Sequence, residues 1–416
     1  MATNGKRIQE SDLIGTNAVD FEERVDVRRL RRERLQRLQD QIGKSGLSGL
    51  LLFDPVNVRY ALGVRSNEIF ALRNKTYHAL VPREGEPVLF NGTGLEPTVL
   101  DGTLEMREVP VFDYWQAGTY TREATARWAA IVKSTVKEMG MGSEPIGLDR
   151  GDPVTIKALE TEGLSIDDAL EPVAMARVIK TQDEVALIRQ ACAIADVALA
   201  RVKKAIKPGV TEIELFAIMA DTNLRHGGER MDCMLLAAGG NTLQWLKRTA
   251  TDRIVRPGDL VAMDTDMAGP MGYFADISRT YLCGDGKPNP EQLESYKRAY
   301  EFLYESIPLF TVGTSFQEIA EKVPEIPDEY RANRYSVLAH GVGMSDEWPA
   351  LYFTDTSTTG FGNVPGVLEE NMFMCMEASF GKENGREQVK LEEQLLITAN
   401  GPEIISQAPF DWRFLD

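Results

Sequence analysis

The sequence predicts two domains: an α/β domain over residues 1–178, then an α+β domain over residues 179–416 with an internal pseudo-twofold repeat. Three observations predict it. At 416 residues the chain is long for one hydrophobic core. Short apolar runs alternate with helical patterns in the first part, as expected for helices laid on a sheet. In the second part, Gly209-Val210-Thr211-Glu212-Ile213-Glu214-Leu215 recurs as Gly313-Thr314-Ser315-Phe316-Gln317-Glu318-Ile319, at an offset of 104.

Taken in order, residues 1–25 are polar and read as an arm. Residues 28–42 form a basic helix with Leu30, Leu35, Leu38 and Ile42 as its apolar stripe. Its arginines read as a solvated face rather than a nucleic-acid surface. Residues 49–53 are a short buried strand, closed by an Asp54-Pro55 turn, and a further element begins at Asn57. Residues 78–90 read as a hairpin around Arg83-Glu84-Gly85-Glu86. Residues 123–139 are helical and residues 146–148 are a strand.

The second domain opens on a capping box, Thr181-Gln182-Asp183-Glu184. Val185, Ile188, Cys192, Ala195, Leu199 and Val202 form the apolar face of the helix that follows. Lys207-Pro208-Gly209 ends it, and Thr211 to Glu214 caps the next. The long helix precedes both copies of the repeat, at residues 182–205 and at about 290–307.

A net charge of −17 argues against a nucleic-acid partner and against anionic membranes. The four cysteines, Cys192, Cys233, Cys283 and Cys375, show no metal-type spacing and read as reduced core residues. The N-terminus has no apolar signal segment, and no run approaches membrane-spanning length. A cytoplasmic protein is expected.

Residues 260–281 hold the densest chemistry. Two apolar runs flank a turn with Gly269, Pro270 and Gly272, and carry Asp264, Asp266 and Asp276. Residues two apart on a strand share a face, so Asp264 and Asp266 point the same way, and a hairpin brings Asp276 beside them. Buried acids need a neutralising partner, which a metal ion supplies. On this stretch alone two readings stand: a metal cluster, or an exposed strand face plus a turn aspartate.

Three more residues bear on the choice. His340 sits in Leu-Ala-His-Gly-Val-Gly-Met-Ser-Asp-Glu-Trp-Pro. Glu377 and Glu392 each interrupt an otherwise apolar strand. Asp, Asp, His, Glu, Glu in that order resembles the pita-bread metallohydrolases of the creatinase/aminopeptidase P/methionine aminopeptidase superfamily. The His340 segment resembles the DddP-type dimethylsulfoniopropionate lyases within it. The first domain is similar, more loosely, to the creatinase-type N-terminal domain.

The resemblance implies the pita-bread fold, a homodimer, and Asp264, Asp276, His340, Glu377 and Glu392 as metal ligands. Asp264 and Asp276 are twelve apart, one more than in aminopeptidase P-like proteins, so Asp266 is added to the set. An oxygen-rich set with one imidazole suits two divalent transition-metal ions: iron first, with manganese, cobalt or zinc as alternatives. Glu393 points to the opposite strand face and reads as structural.

Peptidases of this superfamily use two further histidines. Here Trp245 stands near the expected place of one, and Asp346 stands before Glu347 where the other is expected. The chain has three histidines in all. His78 reads as a surface or packing residue and His226 as part of a helix C-cap. An amide hydrolase needs oxyanion donors and a proton for the leaving amine. An aspartate beside a metal is a poor oxyanion donor but a reasonable base. These residues fit a lyase in which Asp346 takes the α-proton of dimethylsulfoniopropionate and dimethylsulfide and acrylate form. A sulfonium cation favours aromatic faces, and Tyr335, Trp348, Tyr352 and Trp115 are the candidate pocket residues. The alternative is an Xaa-Pro aminopeptidase or prolidase.

Overall fold

The computed structural model describes residues 25–65, 77–92, 107–111, 119–245, 248–359 and 365–415. The expected N-terminal arm lies outside them. Two compact units are present, one spanning Asp26–Arg177, the other taking the chain from Val178 onward.

The first unit is a six-stranded mixed sheet with helices. Its helices and strands follow in order: α1 (Val27–Ser45), β1 (Gly49–Leu52), α2 (Pro55–Leu62), β2 (Tyr77–Pro82), β3 (Val88–Gly92), β4 (Arg107–Val111), α3 (Thr119–Glu138), β5 (Ile146–Leu148), α4 (Pro153–Thr161), β6 (Ile166–Asp168) and α5 (Leu170–Val178). The spatial order is β4-β3-β2-β1-β5-β6. Asn57 belongs to a helix: Asp54 caps α2 by accepting from the backbone of Val56 and Asn57, and Pro55 opens the first turn. The arginines of α1 are not all solvated, as the sequence suggested. Arg31 and Arg34 are buried, and Arg34 lies over the Tyr60 ring at 5.5 Å. A guanidinium on a long apolar stem can bury that way. His78 packs between Phe53 and Phe90, and its Nε2 accepts from Trp128 Nε1 at 2.8 Å, so it is a core residue.

The second unit opens with α6 (Gln182–Ala205) and α7 (Glu212–Arg225), both started by reciprocal capping boxes. Next come β7 (Arg230–Met231), β8 (Leu236–Ala238), β9 (Leu260–Asp264), β10 (Met267–Ala268), β11 (Phe274–Ala275) and β12 (Ser278–Leu282). The other half holds α8 (Pro290–Ser306), α9 (Phe316–Lys322), α10 (Asp328–Arg331), β13 (Val337–Val342), β14 (Asp346–Tyr352), β15 (Phe373–Phe380), β16 (Val389–Thr398) and β17 (Gly401–Ile404). Its strands order as β14-β13-β15-β16-β17, and the first half gives β12-β9-β8 and β11-β10-β7.

The repeat extends to backbone hydrogen bonds. Gly209 N donates to Val255 O at 3.0 Å and Val255 N to Val210 O at 2.8 Å; Gly313 N donates to Leu368 O at 2.8 Å and Leu368 N to Thr314 O at 2.9 Å. The caps Thr211 and Ser315 each form an isolated bridge, to Ile254 and Val367. The two halves thus anchor their second helix in the same way.

Period-two alternation decides what reaches the centre. On β15, Met374, Met376, Ala378 and Phe380 join the apolar core, so Cys375, Glu377 and Ser379 face the other way. On β16, Leu391 and Leu395 join the core while Lys390, Glu392 and Gln394 take the opposite face. Glu393, on the core side, meets Arg279 at 3.0 Å with both side chains 1% exposed.

Candidate metal centre

Glu377 and Glu392 are direct partners across β15 and β16. Like charges placed so repel, and both are buried. What faces them explains why the pairing persists. His340, on β13, brings its Nε2 to 3.3 Å from Asp276 Oδ2, 3.4 Å from Glu377 Oε1 and 3.9 Å from Glu392 Oε1. Its Nδ1 lies 3.1 Å from Gly341 O, and donation there leaves the Nε2 lone pair free for a metal.

Asp264 ends β9, and Asp276 lies between β11 and β12, its N–H donating to Gln394 Oε1 at 3.0 Å. Asp266 reaches the cluster differently from the strand alternation that the sequence suggested. The strand stops at Asp264, and Asp266 takes a left-handed backbone, φ 35°. Thr265 Oγ1 accepts from Ile277 N at 3.0 Å and donates to Ala275 O at 2.9 Å, tying this turn to the segment that carries Asp276.

Two sets of donor atoms result. One is Asp264, Asp266 and Asp276; the other is Asp276, His340, Cys375 and Glu392; within each set all donor atoms lie within 4.8 Å of one another. Asp276 belongs to both, the arrangement a bridging carboxylate needs. Five of the six residues that the sequence marked as ligands, Asp264, Asp266, Asp276, His340 and Glu392, fall in these sets, and the sixth, Glu377, lies 3.4 Å from His340 Nε2.

The sequence did not mark Lys390. Its Nζ lies 2.9 Å from Glu392 Oε2, 3.4 Å from Asp264 Oδ2 and 2.8 Å from Ser278 Oγ, and it also pairs with Glu377. The signal was available, because Lys390 stands two residues before Glu392 and must share its face. Five ionised carboxylates less one ammonium leave four negative charges, which two divalent cations cancel. Asp276 Oδ1 and Glu392 Oε1 are buried without a hydrogen-bond partner among the described residues. Donor set, charge and orphaned oxygens together fit a pair of divalent metal ions.

The acid cluster shifts its own titration. Burial pushes Asp266 up to about 8, with Asp264 and Asp346 adding to the rise. Burial and the neighbouring carboxylates also push Asp276 and Glu392 well up. Burial works most strongly on Asp264 and against its charge, but Lys390 together with hydrogen bonds from Asp276, Ser278 and Glu392 holds that carboxyl below the usual range. For His340 and Lys390, burial disfavours the cation, yet the surrounding acids win and raise both.

Asp346 opens β14, with Oδ1 4.0 Å from His340 Nδ1 and a side chain 56% exposed. Partial burial raises its pKa, Asp264 and Glu377 add to the rise, and His340 opposes it. The turn behind it needs glycine. A Cβ on Gly341 would strike the Trp348 carbonyl, and one on Gly343 would strike the Glu347 carboxylate. Glu347 accepts from Met344 N at 2.7 Å and pairs with the buried Lys180 at 3.0 Å, so it is a support for the turn.

The aromatic candidates separate. Tyr335 lies at the centre: burial raises its phenol, Glu377 adds to the rise, and Lys390 and His340 oppose it. Its ring meets Trp245 edge-on at 6.4 Å, and the Trp245 face lies 4.8 Å from Lys390 Nζ. Trp245 is thus a wall residue of the centre that the sequence marked only as a missing histidine. Trp348 is instead turned onto Phe316 at 5.4 Å, against the apolar core. Nearness to Asp346 in sequence made Trp348 a candidate, but the strand register shifts between His340 and Gly341, across from Trp348. Tyr352 pairs with Val337 at the end of β14 away from Asp346. Trp115 lies outside the described residues.

The fold and this centre define a class, and the comparisons with known proteins agree. The creatinase/prolidase N-terminal domain model matches residues 34–179, and the metallopeptidase family M24 model matches residues 186–399. The chain belongs to metallopeptidase family M24, a family of dinuclear metal enzymes, and has its pita-bread fold. Among individual proteins, it is 29% identical to the dimethylsulfoniopropionate lyase DddP of Roseovarius nubinhibens, over 93% of this chain and 87% of that one. It is 26% identical to the Xaa-Pro dipeptidase of Pyrococcus furiosus, over 89% of this chain and 96% of that one. The Xaa-Pro dipeptidase from Bacillus anthracis superposes with a TM-score of 0.71, covering 91% of this chain and 98% of that one at 20% identity, which speaks to the fold.

Proposed function

We propose that the protein is a metal-dependent lyase that splits dimethylsulfoniopropionate into dimethylsulfide and acrylate. One observation carries the reading: a metal-type acid cluster has an aspartate, not a second imidazole, beside its only histidine. His78 is a core residue of the other unit and His226 is the C-cap of α7, and neither belongs to the donor sets. Similarity to the Roseovarius nubinhibens lyase over most of both chains supports the same reading.

Asp264, Asp266, Asp276, His340, Glu377 and Glu392 would hold two ions, iron in first place, with manganese, cobalt or zinc as alternatives. Bound divalent ions supply Lewis-acid stabilisation for charge that builds beside a substrate carboxylate. The chain's own residues do the rest. Asp346 removes a proton from the carbon next to that carboxylate. The electron pair forms the carbon–carbon double bond as the carbon–sulfur bond breaks, and sulfur leaves with its bonding pair as neutral dimethylsulfide. Acrylate and one proton, passed from Asp346 to solvent, complete the balance. Tyr335 offers an aromatic face to the sulfonium end, a contact worth about 0.5–2 kcal/mol. A cytoplasmic homodimer belongs to the same proposal.

The test is headspace gas chromatography on metal-loaded protein with dimethylsulfoniopropionate, beside Asp346→Ala. Wild type should release dimethylsulfide and the variant should not, with equal metal content. Metal lost with the side chain would make Asp346 a ligand rather than the base. The second reading, an Xaa-Pro dipeptidase, is favoured by the Pyrococcus furiosus relative and the intact cluster. Release of proline from Xaa-Pro dipeptides would support it.

A further inference from the structure

Cys375 lies two residues before Glu377 on β15, on the face that carries the acids. Its Cα partners are His340 on β13 and Gln394 on β16. It is 0% exposed. Its Sγ, a His340 ring nitrogen and carboxylate oxygens of Asp276 and Glu392 all lie within 4.8 Å of one another. An independent observation marks the same spot: Asp276 and Glu392, 3% and 0% exposed, each bring an oxygen with no hydrogen-bond partner among the described residues. The thiol itself has only a weak contact, donating to the Asp276 carbonyl at 3.7 Å.

One nitrogen, one sulfur and two carboxylates gather around a shared point, and Glu377 lies beside them, 3.4 Å from His340 Nε2, a mixed donor set that suits a transition-metal ion. The neighbouring set, Asp264, Asp266 and Asp276, offers oxygen alone. Sulfur favours softer first-row ions, and oxygen alone admits harder ones.

We propose that Cys375 is a metal ligand, which makes the two metal positions chemically unequal. One is a sulfur-containing site built from Asp276, His340, Cys375 and Glu392, with Glu377 beside His340. The other is an all-oxygen site. The inference rests on the presence of a metal centre and not on the identity of the substrate. As the metal–sulfur bond forms, the S–H bond breaks and the proton passes to buffer, which leaves the loaded centre with one net negative charge. No electrons change hands and the ion stays divalent.

The test is titration of metal-stripped protein with cobalt(II), reading the near-ultraviolet sulfur-to-cobalt charge-transfer band and the cobalt bound. Cys233→Ser is the control, because Cys233 is exposed and hydrogen-bonds Asp266. The band should grow in wild type and in Cys233→Ser, and be absent in Cys375→Ser at comparable cobalt content. Bound cobalt without the band in wild type would overturn the proposal, as would a band surviving in Cys375→Ser. X-ray absorption on cobalt-loaded wild type reads the same question without a variant: sulfur in the cobalt shell supports the assignment, oxygen and nitrogen alone refute it. Failure of wild type to bind cobalt would overturn the metal centre itself, and this inference with it.

Discussion

The ammonium of Lys390 lies 2.9 Å from Glu392 and 3.4 Å from Asp264, wholly buried among carboxylates that the fold also offers to metal ions. It is a resident cation in an acid cluster. It removes one of five negative charges, and the rest matches two divalent ions.

Replacing Lys390 with methionine removes the ammonium that Asp264, Glu377 and Glu392 share. Breaking a buried pair by removing one partner costs about 3–5 kcal/mol, so the metal-free variant should melt well below wild type. Divalent metal should then raise its melting temperature by more than it raises that of wild type. Thermal melts with and without metal check this, and an unchanged metal-free melting temperature would show that Lys390 is no counter-ion.

In the proposed lyase, Asp346→Asn keeps the shape and removes the base. General base catalysis contributes about 10²–10⁴-fold, so the elimination rate should fall by that factor while metal content stays the same. Rate assays paired with elemental analysis decide it.

The metal-free protein should lose stability as pH rises. Asp266 ionises near 3.8 when unfolded, and in the fold burial and its acidic neighbours hold it protonated up to about 8. Between those values the fold holds a proton that the unfolded chain has released. Its stabilising contribution is therefore fully present below about 3.8 and lost as pH climbs to about 8. Asp276 and Glu392, shifted the same way, add to the slope. Metal needs the ionised carboxylates, so its binding should strengthen over the same window. Melting temperatures at pH 5 and pH 8, with and without metal, should move in opposite directions, and Asp266→Asn should flatten the metal-free slope.

Glu393→Ala should destabilise the protein without touching the centre. Arg279 pairs with Glu393 at 3.0 Å, lies over the Phe410 ring at 4.2 Å and is 1% exposed. Removing the carboxylate strands the guanidinium, at a cost of about 3–5 kcal/mol. Denaturant midpoints measure the loss, while metal content of the folded variant should match wild type.

The sequence made the acids legible because carboxylates inside apolar strands are costly and therefore conspicuous. Glu377 and Glu392 stood out for that reason, and the 104-residue offset paired the half that carries them with the half that carries the aspartates. Lys390 and Cys375 were no less readable by period two, but a lysine near a strand end and a buried cysteine both have ordinary explanations. Asp266 was assigned to the right cluster by the wrong route, since a left-handed residue, not a continuing strand, turns it inward. Trp348 shows the limit of proximity in sequence. It is two residues from Asp346, yet a register shift sends its ring to Phe316. Trp245 could be placed opposite Lys390 only once the distant strand β16 was in position.

The most direct test of a metal centre restricted to carbon-acid chemistry is a paired assay on one metal-loaded preparation. Dimethylsulfoniopropionate and an Xaa-Pro dipeptide are supplied in parallel, and dimethylsulfide and free proline are measured over time. Dimethylsulfide with equimolar acrylate and no proline is the predicted result. Rapid proline release with no dimethylsulfide would contradict it.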